Sequence, residues 1–254
     1  MTGVERRKRI LDTIQQDGFA DISAMAEQCE VSTMTIRRDL ARMEAEGLVV
    51  LGQGGALART SLSLAENSMT EKSEQKKAEK EAIAREALKY LKGTCFLDAG
   101  TTVLCVCRLI PESFFQTDHT LFTNSLLAAQ ELSRHPQVSL VAVPGVFREM
   151  SMAFLGSLCE SFVANFTFPV LFLACEGIDL KAGLSVPDLQ DACTKKALCA
   201  HSEQIICLAD SSKFGRSFLC SFASLAQIAL IITDKNLSDE LYALYSQYVR
   251  IIRV

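Results

Sequence analysis

Nowhere in the 254 residues is there a run of about 18 consecutive apolar residues, the length a membrane-crossing helix needs. The opening residues, Met1 to Ile10, are charged rather than apolar. The expectation is therefore no bilayer span, no secretory leader and a cytoplasmic location. Metal chemistry has equally little to build on: the chain has no CxxC pair, and its nearest approach, Cys105-Val-Cys107, has no histidine nearby. No metal and no cofactor are expected. The ten cysteines are scattered through apolar segments such as Thr94 to Leu97 and Gln204 to Ala209, so they read as small buried hydrophobes in a reducing compartment. Also missing is any excess of positive charge, since the formal net charge is −4. A nucleic-acid footprint, where present, must be local. There is no internal repeat and no low-complexity tract.

What the chain does have is an ordinary globular composition, 49% hydrophobic and 22% charged, enough apolar material for a sizeable core. Ile10, Leu11 and Ile14 recur at helical spacing until Asp17-Gly18 stops the run. Ile22, Met25, Ala26 and Cys29 mark a second short helix, opened by Asp21 or Ser23. After a tight connection at Glu30-Val31, Ser32 is placed to cap a third helix whose Ile36, Leu40 and Met43 form one apolar stripe. Its other face carries Thr35, Arg38 and Arg42. Gly47 ends it, and Leu48 to Leu51 followed by Gly52-Gln-Gly-Gly55 reads as two short strands around a glycine turn.

An arginine pair on an isolated helix is ordinarily a solvated surface. Here the helix is third, after a short helix and tight turn and before a glycine wing, which is the order of a winged helix-turn-helix. Ser32, Thr33, Thr35, Arg37, Arg38 and Arg42 then become DNA-contact candidates, because small hydroxyls and guanidinium groups are the donors that phosphates and base edges accept. The residues Val31-Ser-Thr-Met-Thr-Ile-Arg-Arg-Asp-Leu40, then Glu46-Gly-Leu48 and Gly54-Gly-Ala56, resemble the signature of the DeoR-type bacterial regulators of sugar metabolism. That resemblance implies that the motif from Ala20 to Asp39 inserts into double-stranded operator DNA, with Thr35, Arg37 and Arg38 as contacts. In the wing, Leu51 and Gln53 stand where the family usually has an arginine and a histidine. Residues 1–60 hold eight basic and nine acidic residues, so each reading head is electrostatically weak. Dependence on a homodimer or homotetramer follows.

Residues 59–73 are serine-rich at their start and lack a clear period, which suggests a linker between a DNA-binding domain at 1–58 and an α/β domain at 74–254. The lysine-glutamate mixture from Glu74 to Lys92 predicts an amphipathic helix with a solvated charged face. Beyond it, apolar runs at Cys95 to Leu97, Thr120 to Thr123, Val138 to Val143, Val170 to Ala174, Ile205 to Ala209 and Ile228 to Thr233 alternate with helical stretches. Val249 to Val254 offers a last strand. This alternation predicts a mainly parallel sheet covered by helices.

Ligands of such sheets sit at the C-terminal ends of the strands. The loop Asp98-Ala-Gly-Thr-Thr102 before a helix start offers a phosphate cradle through Gly100, Thr101 and Thr102, although a glycine turn with a threonine cap would look the same. Further strand-end candidates are Thr123 and Asn124, Gly145 with Arg148 and Glu149, and Glu176, Gly177 and Asp179. The carboxylates of Asp98, Glu176 and Asp179 suit sugar hydroxyls, and Arg148, Lys195 and Lys213 suit a phosphate or those carboxylates. The DeoR resemblance extends through these segments. It implies a domain similar to ribose-phosphate isomerases in fold and an effector that is a phosphorylated sugar or polyol. Ala174-Cys-Glu-Gly177 stands where the family commonly has Gly-Ala-Asp-Gly, and Gly145-Val146 where it commonly has two glycines, substitutions that narrow the room for ligand. The same residues, Asp98, Glu176, Asp179 and Lys195, are also those an isomerase-like enzyme would use as acid and base. The fused reading head favours a ligand-responsive repressor over that enzyme, and the polar strand-end loops favour it over a purely architectural DNA-binding protein.

Overall fold

The computed structural model describes residues 2–17, 19–45, 49–52, 54–58, 69–116 and 118–254. Gly18, Glu46 to Leu48, Gln53 and most of the 59–73 segment therefore lie outside the described residues. Two compact units divide the chain, Met1–Leu64 and Ala65–Val254. In the first, α1 (Gly3–Asp17), β1 (Phe19–Asp21), α2 (Ile22–Gln28), α3 (Thr33–Ala45), β2 (Val49–Gly52) and β3 (Gly55–Ala58) follow one another. Asp21 is the cap of α2, accepting from the N–H groups of Ser23 at 2.8 Å and Ala24 at 2.9 Å, which resolves the choice between Asp21 and Ser23. Ile10, Ile14, Met25, Ile36, Leu40 and Met43 close a single apolar core, as the helical stripes required.

The wing holds one strand more than its sequence suggested. β1 pairs antiparallel with β3, giving the order β1-β3-β2. Three residues are too few to show a period of two, so the sequence carries no sign of it. Asp39, in the middle of the arginine-rich motif, turns inward instead of toward solvent. It accepts the Arg6 guanidinium of α1 and lies 3.6 Å from Arg7, so this part of the motif braces α3 against α1.

The second unit opens with α4 (Met69–Glu74) and α5 (Lys77–Ala87), followed by β4 (Cys95–Leu97), α6 (Thr101–Leu109), β5 (Thr120–Thr123), α7 (Leu126–Leu132) and β6 (Ser139–Ala142). A ribbon, β7 (Val146–Arg148) and β8 (Ala153–Leu155), then leads to α8 (Ser157–Val163) and β9 (Phe168–Leu173). After β10 (Gly177–Asp179) and β11 (Gly183–Val186) come α9 (Leu189–Ala200), β12 (Ser202–Leu208), β13 (Cys220–Ala223), β14 (Leu230–Thr233), α10 (Asp239–Tyr245) and β15 (Ile251–Arg253). Among the described residues seven strands form one sheet in the order β15-β14-β12-β9-β4-β5-β6, and every neighbouring pair is parallel.

Consecutive residues of its central strands serve opposite faces. Leu171 and Leu173 enter one apolar layer with α8, α9 and α10, while Val170 and Phe172 enter the other with α5, α6 and α7. A strand buried on both faces must be apolar throughout, which is why these strands were legible as continuous runs. The small antiparallel pairings, β7 with β8 and β11 with both β10 and β13, were not expected. Their three- and four-residue strands lie within what reads as loop.

The entry to this unit also differs from its sequence reading. A helix, α4, occupies the end of the presumed linker, with Met69 buried. The single helix expected over Glu74 to Lys92 is interrupted at Lys76, whose φ of 52° is left-handed. Lys80 stabilises the break: its buried ammonium donates to the carbonyls of Lys72 and, at 2.8 Å, Gln75, a cation at the C-terminus of α4. Lys80, of the charged face expected to be solvated, is buried.

Candidate DNA-reading helix and ligand pocket

The start of α3 is held by a local hydroxyl pair. Ser32 Oγ accepts the Thr35 N–H at 3.2 Å and lies 2.9 Å from Thr35 Oγ1, which satisfies a helix-terminal donor. Ser32, Thr33, Arg37, Arg38 and Arg42 are exposed and Thr35 is half-buried, while Ile36, Asp39, Leu40 and Met43 are buried. All the nominated DNA contacts thus share the outward side of one helix, and the apolar stripe that presents them faces the core. Leu51, on the wing, is also exposed.

In the second unit the chain runs from β4 outward through β5 to β6, then returns to place β9 on the other side of β4. The strand order therefore reverses between β4 and β9, and at such a switch point the loops beyond the strand ends diverge and leave a crevice. A cavity of about 100 Å³ lies there. Ala99 to Thr102 beyond β4, Ala174 to Glu176 beyond β9, and Ala209, Asp210, Ser212 and Lys213 beyond β12 line it. α6 begins at its wall, with the N–H groups of its first turn, and anions bind well at such helix starts.

Charge dominates the lining: Lys72, Lys76, Lys80, Lys195 and Lys213 face Glu176, Asp191 and Asp210. Glu176 bridges two lysines, with Lys72 Nζ and Lys213 Nζ each 2.6 Å from one of its oxygens. Burial alone would raise its carboxyl, but the two lysines hold it at about 2, so the bridge persists across physiological pH. Lys76 Nζ lies 3.1 Å from Asp210 Oδ1. Burial likewise opposes the charge on Asp210, yet Lys213, Ser212 and Lys76 keep its carboxyl below the usual range. Beneath the cavity Asp98 is fully buried, and its Oδ2 accepts from Ala174 N at 3.0 Å and from Lys195 Nζ at 2.5 Å. Asp98 Oδ1 and the Ser151 hydroxyl at the cavity wall are buried without a hydrogen-bond partner among the described residues, unusual for buried polar atoms.

These shifts bear on chemistry. A general acid or base works best with a pKa near 7. Against the pull of burial, Lys195 and Lys213 are raised by their carboxylates, while Glu176 and Asp210 are lowered by lysines. Each moves away from neutrality. Lys80 is lowered by burial, but it is spent on helix carbonyls. The arrangement holds charge.

Two family models match: the DeoR-like helix-turn-helix domain over residues 6–61 and the DeoR C terminal sensor domain over residues 75–235. The chain belongs to the DeoR family of transcriptional regulators. Its relatives include the putative aga operon transcriptional repressor of Escherichia coli O157:H7, 34% identical across 98% of this chain and 93% of that protein. Another is the HTH-type transcriptional regulator GlpR of Haloferax volcanii, 34% identical across 94% and 93%. Among solved structures, ribose 5-phosphate isomerase A from Neisseria gonorrhoeae is similar at a TM-score of 0.37 with 14% identity, over 54% of this chain and 53% of that one. The matched domains are those of a DNA-binding regulator, not of an enzyme.

In this DeoR-family regulator, the nominated residues Gly100, Thr101, Thr102, Glu176, Lys195 and Lys213 do meet in the pocket. Others turn out to support it or stand apart. Thr123 Oγ1 donates to Leu97 O at 2.6 Å, and Asn124 Nδ2 reaches Phe154 O at 3.4 Å, so both tie strand ends together. Gly145 and Gly177 allow close backbone approach, since a Cβ would come within 2.7 Å of Leu155 N and 2.6 Å of Arg216 O respectively. Arg148 pairs with Asp188 at 3.4 Å, and Glu149 begins the turn that carries Ser151. Asp179 accepts from the N–H groups of Lys181 and Ala182 at 2.8 Å each, the task of a turn-former. Among the residues missed were Lys72, Lys76, Lys80, Ser151, Asp191 and Asp210. Only Asp210, in Asp-Ser-Ser-Lys213 after a strand, had a sequence signal, because it sits in the strand-end position that marked the others.

Gly100 is where this regulator's pocket is most sensitive to a single methyl. A Cβ there would lie 2.4 Å from the Ala174 Cβ, so Gly100→Ala is expected to cost about 1–3 kcal/mol as an overpacked contact. Adding Ala174→Gly should return most of that loss. A double-mutant cycle by urea unfolding checks it, and equal losses in the single and double variants would show that another contact is responsible.

Proposed function

We propose that this regulator represses a carbohydrate-utilisation operon in the cytoplasm, binding operator DNA through α3 as a homodimer or homotetramer, and that a phosphorylated sugar or polyol changes its DNA affinity. The domain plan is a reading head at residues 1–58 and a sensing domain behind it that begins with α4. The observation that carries the effector reading is the cluster of lysines around the start of α6 at the sheet's switch point. Ammonium groups other than that of Lys80, together with helix-start N–H groups, suit a phosphate dianion. Carboxylates and the Ser151 hydroxyl suit the hydroxyls of the rest of the ligand. Repression of an operon is supported by the aga operon relative, and paired reading heads by the weak charge of a single one.

The test is binding of the purified protein to its own upstream DNA at fixed salt, titrated with sugar phosphates and their free sugars, alongside a promoter reporter with and without the gene. The expected result is site-specific binding altered by one phosphorylated compound and not by its free sugar, with reporter output higher when the gene is absent. Lower output would mark an activator instead. Site-specific binding indifferent to every phosphate ester would remove the sugar-phosphate reading.

A further inference from the structure

Helix α4 precedes the sheet and belongs to a stretch that reads from sequence as linker, yet it supplies part of the pocket. Met69 and Lys72 of α4 line the cavity, with Gln75 and Lys76 of the turn that follows it. Lys72 reaches Glu176 beyond β9 at 2.6 Å, and Lys76 reaches Asp210 beyond β12 at 3.1 Å. Lys80 of α5 binds the carbonyls at the helix end, so the orientation that sends Lys72 and Lys76 inward is fixed by a third lysine. On the N-terminal side only residues 59–68 lie between α4 and β3 of the reading unit.

We infer that α4 is a ligand-sensing clamp: Lys72 and Lys76 bind the anionic group of the effector while still holding Glu176 and Asp210, so that occupancy tightens α4 onto the pocket and is passed to the chain leading to the reading head. The inference rests on the sugar-phosphate reading above and adds the residues and the direction of the response. An ammonium carries three N–H donors and can hold a carboxylate and a phosphate oxygen together. A dianion among these groups adds attraction to lysines on both sides of the cavity, Lys72 of α4 with Lys76 of the turn after it, and Lys195 and Lys213 of the sheet side. Before it arrives, Lys72 and Lys76 reach the strand-end loops through Glu176 and Asp210. A ligand that binds the closed arrangement better must shift the population toward it.

Hydrogen exchange of the full-length protein tests both halves, with inorganic phosphate, glycerol 3-phosphate, glucose 6-phosphate and galactose 6-phosphate as probes. In ligand-free protein, Glu176→Gln should speed exchange in residues 69–76 relative to the unaltered chain; unchanged exchange would sink the ion-pair clamp whatever the ligand. With a probe that binds, exchange in the same residues should slow. Lys72→Gln and Lys76→Gln should each weaken that probe about tenfold or more, the loss of one charge-assisted hydrogen bond, with melting curves confirming that the variants are folded. Tight binding that both variants retain, with α4 exchange unaltered, would overturn the clamp and leave the sugar-phosphate reading standing. Faster exchange on binding would overturn the direction, because the ligand would then be displacing α4. Failure of every probe to bind the unaltered protein would remove the sugar-phosphate reading and the ligand half of the clamp together, while the Glu176→Gln result would still decide the ion-pair half.

Discussion

Replacing Lys195 with methionine should lower the stability of the sensing unit by roughly 3–5 kcal/mol, the cost of leaving a buried carboxylate without its partner. The Lys195 side chain is 3% exposed and that of Asp98 fully buried, and its Nζ lies 2.5 Å from Asp98 and 3.6 Å from Asp191. Burial by itself pulls the Lys195 ammonium toward neutrality, but Asp191 and Asp98 more than offset it and keep it charged. Methionine has similar bulk, so the loss is electrostatic rather than a cavity. Asp98→Asn in the Lys195→Met background should recover a substantial part, because a neutral amide needs no counter-charge. Urea denaturation of the two single variants and the double variant measures the coupling. A loss under about 1 kcal/mol for Lys195→Met, the value of an exposed pair, would mean that water reaches Asp98.

The second large effect belongs to α3. Arg37→Ala and Arg38→Ala should each weaken operator binding by about 1–3 kcal/mol if they read a base edge. An arginine that holds only phosphate should weaken all sequences alike and lower the salt slope by about one. Both are exposed and lie away from the buried stripe of Ile36, Leu40 and Met43, so thermal stability should hold within about 0.5 kcal/mol. Fluorescence anisotropy across a salt series, on operator and on scrambled DNA, separates the two roles. Unchanged affinity for both variants would place the reading surface elsewhere on the unit.

The two halves of the molecule were unequally legible. In the reading head the decisive features are local: Ser32 is three residues from the N–H that it caps, and the stripe of Ile36, Leu40 and Met43 repeats within one helix. The sheet strands announced themselves because burial on both faces demands unbroken apolar runs such as Val170 to Ala174. The pocket was only partly readable. Gly100 to Thr102, Glu176 and Lys213 were found because a strand end is visible in sequence and ligands gather there, whereas Lys195, inside α9, was found only by its charge and the family resemblance.

Arg148 and Asp179 carried the same signal, yet the fold employs them in an ion pair with Asp188 and in a turn. A strand-end position does not say which way a side chain points. Lys72 is the converse case, in a segment with no strand, motif or clear period, and Lys76 sits where the sequence predicts only a solvated helix face. They reach Glu176 and Asp210, 104 and 134 residues further along the chain.

The sequence by itself therefore determined the family, the helix that presents Arg37 and Arg38, and the parallel sheet, since caps, periods and apolar runs act over a few residues. Only the tertiary structure decided which charges share the cavity and that α4 belongs to it. Ion pairs between residues so far apart exist only once the strand order has brought the loops beyond β9 and β12 beside the helix that enters the domain.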